Sequence, residues 1–205
     1  MQRQHWPVAR ELDSPDPAWG NWQGVRDGDA LVLVDVLADF GHPDGEALFA
    51  AFREAAPSLG AAIASARSAG VPVIYANDDF GTWAGDRGRV LAEARRRCPE
   101  PELIDAVAPG PGDPFLCKPR YSAFDHTPLE LLLREREVRR LVLAGTATEM
   151  CVAQTAIDGR EMGYQITVLA DACSAVDAGN AEVALRYLEH VAGARVESGV
   201  EARRT

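Results

Sequence analysis

A chain of 205 residues with 47% hydrophobic and 25% charged residues has the make-up of one soluble globular domain with a sizeable core, which excludes the disordered and collagen-like classes. Its formal net charge of -10 argues against a non-specific nucleic-acid binder and against docking on anionic membranes, so a small-molecule partner is expected. Residues 1 to 29 are rich in Pro, Asp, Gly and Trp without periodicity, and an irregular arm is expected there. Its Trp6, Trp19 and Trp22 either pack on their own domain or a partner subunit, or reach substrate. No signal-peptide pattern opens the chain and no apolar run has bilayer-spanning length, so a cytoplasmic protein is expected. Cys98, Cys117, Cys151 and Cys173 are scattered without a C-x-x-C pair, which predicts reduced thiols rather than disulfides or a zinc ribbon.

Residues 30 to 205 read as a single domain in which strands and helices alternate. Ala30 to Val36 is an apolar run interrupted at Asp35, which fits a strand buried on both faces with Asp35 at its carboxyl end. Leu48 to Ala69 has helical apolar spacing, with a break and restart predicted at Pro57 and Ser58, and Gly70 closes it before a strand at Val71 to Ala76. A polar loop from Asn77 leads into an arginine-rich helix ending before Pro99, whose Arg95, Arg96 and Arg97 read as a solvated helix end. A short strand is expected at Phe115 to Lys118. Thr127 is placed to cap a helix over Leu129 to Arg136, with Glu130 in the capping-box position. Val138 to Ala144 forms the next strand, Met150 to Met162 a helix closed by Gly163, and Tyr164 to Ala170 another strand with Asp171 bracing the turn after it. Ala178 to Val191 is helical, and Ala194 to Glu197 is a last short strand.

The stretch Leu141 to Val152 combines an apolar strand, a turn at Gly145 and small residues, and a helix start carrying Cys151. A helix N-terminus offers partial positive charge and unpaired N–H groups, which suit a thiolate and an oxyanion. A nucleophilic thiol at neutral pH calls for a pKa about 2 units below its ordinary value, more than a helix end supplies, so a nearby cation is required. Ligands of open parallel sheets lie beyond the carboxyl ends of the strands. Three reactive residues, Asp35, Lys118 and Cys151, fall at such ends on three separate strands, and Lys118 is the cation.

Val-Asp-Val-Leu-Ala-Asp-Phe at 34 to 40, Lys-Pro-Arg-Tyr-Ser-Ala-Phe at 118 to 124 and Gly-Thr-Ala-Thr-Glu-Met-Cys-Val at 145 to 152 resemble the isochorismatase-like cysteine hydrolases, which include nicotinamidases, N-carbamoylsarcosine amidases and isochorismatases. The resemblance implies a three-layer α/β/α sandwich around a parallel, Rossmann-like sheet of about six strands. It implies a triad in which Cys151 is the nucleophile, Asp35 the general base and Lys118 the stabilising cation. It also implies a cis peptide at Thr146-Ala147 that turns the Ala147 N–H, with that of Cys151, toward a tetrahedral oxyanion. The function expected is hydrolysis of an amide or carbamoyl C–N bond of a small molecule through a thioester. Enol-ether hydrolysis of the isochorismatase type, and a non-catalytic ligand-binding or redox-responsive role, are the alternatives; Cys151 weighs against the first, which needs no thiol. The family is often oligomeric, which implies a homodimer or homotetramer.

Nicotinamidases place Asp-x-His and a further His after the second strand to hold a metal; here the segment reads Asn77-Asp78-Asp79-Phe80, so neither a metal nor another cofactor is expected. Loops after strand ends carry specificity, which makes Asn77, Asp79, Phe80 and Trp83 candidates for substrate contact. Phe80 and Trp83 could equally cover the core, and Tyr121 and Phe124 pose the same choice. Cys98, Cys117 and Cys173 read as structural.

Overall fold

The computed structural model describes residues 24–198; the arm tryptophans Trp6, Trp19 and Trp22 lie outside them. Its frame is a six-stranded sheet made of β1 (Asp29–Val34), β2 (Val73–Asn77), β3 (Phe115–Cys117), β4 (Arg140–Thr146), β5 (Gln165–Ser174) and β6 (Arg195–Glu197). Every pairing is parallel, and the spatial order is β3-β2-β1-β4-β5-β6. The order reverses between β1 and β4, which opens a crevice beyond their carboxyl ends.

Side-chain alternation along the strands separates two apolar cores. Leu31, Leu33, Tyr75, Val142 and Ala144 face α1 (Gly45–Ser68), α2 (Arg87–Arg97) and α3 (Pro101–Ala106). Ala30, Val32, Val34, Ile74, Leu141 and Leu143 face α4 (Leu129–Glu135), α5 (Ala153–Glu161) and α6 (Ala178–His190). All six residues of β1 are buried, as expected of a central strand covered on both faces.

Several local expectations are corrected. Pro57 does not divide α1, which runs unbroken over 24 residues. The proline withholds one helical N–H, but Phe52, Ala55, Ala56, Leu59 and Ile63 around it are buried in one face, and that burial outweighs the missing bond. The six-residue α3 has no counterpart in the sequence reading, because Leu103 and Ile104 alone make too short a periodic signal. Thr127 accepts the Leu129 N–H at 3.2 Å, yet Glu130 pairs forward with Arg134 at 2.6 Å rather than closing a capping box. Asp171 lies inside β5, which extends four residues beyond Ala170, and its carboxylate accepts the Ser198 hydroxyl at 3.0 Å instead of bracing a turn.

Candidate active site

β1 stops at Val34 because Asp35 enters the left-handed region with φ 50°, a conformation that aspartate tolerates better than most residues. The Asp35 N–H still donates to the Ala76 carbonyl at 2.9 Å, so the turn stays pinned to β2. The carboxylate Oδ1 accepts the Asp78 N–H at 2.7 Å, and Oδ2 meets Lys118 Nζ at 2.6 Å. Lys118 follows β3 directly and is only 4% exposed. Its Nζ donates to the Arg120 carbonyl at 2.9 Å and lies 3.5 Å from Cys151 Sγ. Three strand ends thus bring a carboxylate, an ammonium and a thiol together.

The turn after β4 depends on Gly145. Its φ is +134°, and a Cβ added there would lie 2.0 Å from the Val34 carbonyl oxygen, so a side chain would force β4 away from β1. The Thr146-Ala147 peptide is cis. A π-helical turn, Thr148–Val152, then carries Cys151 into α5. Three side chains fix this turn: Thr148 donates to the Ser174 carbonyl at 2.9 Å, and Glu149 accepts the Val176 and Asp177 N–H groups at 3.0 and 3.1 Å. Thr155 donates to the Cys151 carbonyl at 2.7 Å while accepting the Ala123 N–H at 2.9 Å, which ties the turn carrying Cys151 to the segment after Lys118.

Burial dominates the electrostatics. It raises the Asp35 carboxyl above its ordinary range, against the opposing pull of Lys118 and the Asp78 N–H. Burial lowers Lys118, but Asp35 and Cys151 together outweigh it and hold the ammonium above its usual value. The Cys151 thiol is pushed up to about 12, by burial first and then by the Asp35 charge, with Lys118 acting in the opposite direction. The expected lowering of the Cys151 pKa by the helix end and Lys118 is therefore corrected: burial and the neighbouring Asp35 charge act the other way and outweigh them.

The isochorismatase domain model matches residues 29–198. The chain belongs to the isochorismatase family. Within it, the chain is 33% identical over 167 residues to the isochorismatase family protein YaaI of Bacillus subtilis, covering 82% of this chain and 92% of that one. It is 34% identical over 169 residues to the ureidoacrylate amidohydrolase RutB of Cronobacter sakazakii, covering 70% and 73%. Among solved structures, the nicotinamidase SaPncA of Staphylococcus aureus superimposes with a TM-score of 0.66 at 26% identity, covering 84% of this chain and 99% of that one. The N-carbamoylsarcosine amidase of Thermoplasma acidophilum gives 0.61 at 28% identity, covering 83% and 96%. The six-stranded sheet flanked by helices is the fold of these isochorismatase-like hydrolases.

Cys151 and Asp35 open onto a cleft of about 570 Å³. Among the substrate-contact candidates, Phe80 and Tyr121 line it, and Tyr121 is 60% exposed. Asn77 borders it, but its amide is spent inside the protein: Oδ1 accepts the Leu37 N–H at 3.0 Å, and Nδ2 donates to the Leu37 and Asp78 carbonyls at 3.1 and 2.9 Å. Asn77 therefore holds the loop after Asp35 instead of offering free donors. Asp79, Trp83 and Phe124 are outside the cleft lining. The Asp79 carboxylate turns back on Thr82, Trp83 is 80% exposed, and Phe124 is buried against Tyr164 with ring centroids 5.9 Å apart. Ala147 lines the cleft beside Cys151.

Sequence reasoning missed Asp39, His42, Asp44 and Arg97, all of which line the cleft. Arg97 is drawn away from solvent by Asp39 and by Glu93, and its guanidinium lies 5.2 Å from the Phe80 ring centroid. The nearest signal was Asp39, the second acid of the first motif, whose partner lies far away in the sequence. Among the described residues no group of three or more His, Cys, Asp or Glu side chains is placed to hold a metal ion. No described helix is long and apolar enough to cross a membrane.

Proposed function

We propose that this isochorismatase-family hydrolase is a cysteine amidohydrolase that cleaves the C–N bond of an amide or carbamoyl group on a small molecule. The observation that carries the reading is the meeting of Asp35, Lys118 and Cys151, from three strands, with Lys118 2.6 Å from the carboxylate and 3.5 Å from the sulfur on one side of an open cleft. The amidase and amidohydrolase names of its relatives support the same reaction class.

In this reading the raised Asp35 carboxylate removes the Cys151 proton as the sulfur attacks the carbonyl carbon. The ammonium of Lys118 offsets the negative charge that moves between sulfur, carboxylate and oxyanion. Backbone N–H groups of Ala147 and Cys151 receive the oxyanion. Asp35 returns the proton to the departing nitrogen as the C–N bond breaks, which leaves a thioester on Cys151. Water, losing a proton to Asp35, adds to the thioester, and the acid departs as the thiol is restored.

A screen of amides, carbamoyl amino acids and lactams against wild type and Cys151→Ala tests the reading. Release of amine or ammonia by wild type and its loss in Cys151→Ala is the expected result. Undiminished release by Cys151→Ala would overturn it.

A further inference from the structure

The part of the cleft beyond the reacting groups has an unbalanced charge. Its lining contains four aspartates, Asp35, Asp39, Asp44 and Asp78, against one guanidinium, Arg97, and one imidazole, His42, whose Nδ1 accepts the Asp44 N–H. Two of the four are matched: Asp35 by Lys118 and Asp39 by Arg97. Arg97 has no charge to spare, because Glu93 also accepts from it. Asp78 accepts the Phe80 N–H at 2.5 Å but has no cationic partner among the described residues. Asp44 stands at the N-terminus of α1 without a side-chain capping bond, its N–H donating to His42 Nδ1 at 3.2 Å, and its carboxylate has no partner among the described residues.

Aromatic groups give a second, independent indication. Phe80 already presents its face to a cation, the Arg97 guanidinium at 5.2 Å. Tyr121 lines the same cleft, is 60% exposed, and makes no ring contact or hydrogen bond within the described residues. Unmatched carboxylates and an unpartnered aromatic ring lining one cleft complement a positively charged group, through Coulomb attraction and through the ring quadrupole. A substrate carboxylate in this part of the cleft would face Asp44 and Asp78, whereas the Arg97 guanidinium is already engaged by Asp39 and Glu93.

We propose that the cleft selects substrates carrying a positive charge, an ammonium or amidinium group remote from the scissile bond, over neutral analogues and over carboxylates. The substrate part of this statement rests on the hydrolase reading above; the charge preference of the cleft does not.

Thiol-directed reagents test the preference without a known substrate. The 2-(trimethylammonium)ethyl, methyl and 2-sulfonatoethyl methanethiosulfonates each transfer an alkylthio group to sulfur, forming a disulfide and releasing methanesulfinate. Modification of Cys151 is followed by peptide mass mapping, and each rate is divided by that of 2-mercaptoethanol to remove intrinsic reactivity. The expected cationic-to-anionic ratio at Cys151 is at least about tenfold at low ionic strength, falling toward one as salt screens the cleft. Asp44→Asn lowers this ratio by about two- to threefold, the effect of one unit charge across a hydrated cleft. A normalised ratio of one or below, a ratio unmoved by Asp44→Asn, or a Cys151 inert to all three reagents would overturn the proposal. Loss of Cys151-dependent hydrolysis in the amide screen with the reagent preference intact would instead remove the hydrolase reading and leave a cation-selective thiol site.

Discussion

β1 carries a buried ion pair at each end, and the two are built differently. At its start Asp29 meets Arg140 through a two-pronged contact, Nε to Oδ1 at 2.9 Å and Nη2 to Oδ2, and also accepts the Arg26 N–H at 2.7 Å. Both side chains are less than a tenth exposed. At its end Asp35 meets Lys118, a point charge, and shares it with the Cys151 thiol beside an open cleft. An arginine fork saturates a carboxylate and keeps its proton, which suits a fixed joint; a lysine leaves the carboxylate free to accept a proton from a neighbour. The first pair closes the strand's start, while the second is the one to which the proposed function assigns the chemistry. Opposite consequences for stability and turnover follow from breaking each.

The largest effect belongs to Asp35→Asn, which removes the proposed base. Turnover on an amide found in the screen should fall by about a thousandfold or more. The same change deletes a negative charge that raises the thiol, so the pH profile of Cys151 alkylation should move downward even as turnover is lost. An unchanged alkylation profile would contradict the assigned contact between the two groups. Asp29→Asn should do the reverse. Leaving Arg140 buried without its carboxylate should cost about 3–5 kcal/mol of stability in denaturant unfolding, with kcat changed by less than about threefold.

The pH response separates the two roles further. Asp35 must be ionised to act as base, so kcat/KM should fall on acidification through a pKa above the ordinary carboxylate value of 3.8. Because the folded state raises this pKa, Asp35's contribution to stability is fully present below 3.8 and is lost as pH rises through the raised value. Acidification across that window should therefore cost activity while Asp35 itself adds stability, provided that urea unfolding and rate are measured in the same buffers. The smallest effect is expected from Trp83→Ala. Trp83 is 80% exposed and outside the cleft lining, so turnover should stay within about twofold and stability within about 0.5 kcal/mol.

The reacting end of the cleft was legible because strand ends are marked in sequence by an apolar run that stops at a polar residue. Asp35 and Lys118 stand at such stops and Cys151 in the turn just beyond one, and parallel pairing brings these strand ends to one edge of the sheet. The rim was not legible. Arg97 read as one of three solvated arginines, since nothing local distinguishes it from Arg95 and Arg96; its contact with Asp39, 58 positions away, is the one that marks it as part of the cleft rim. Phe124 and Tyr121 sit three residues apart in one motif, yet the first is buried and the second exposed, a difference fixed by the contact with Tyr164 and by no periodicity. The thiol's raised pKa was missed for a related reason. A helix end and a lysine are visible in sequence, whereas the burial that outweighs them is a property of the packed site.

The central claim is that Cys151 forms the covalent intermediate with Asp35 as its base. Acid-quenching a turnover mixture of enzyme and an amide found in the screen, followed by intact-mass and peptide mapping, tests it most directly. An acid-stable adduct on Cys151 with the mass of the acyl fragment is expected, absent in Cys151→Ala. Steady turnover with no adduct on Cys151 under conditions that slow hydrolysis of the acyl-enzyme, together with retained activity in Cys151→Ala, would contradict it.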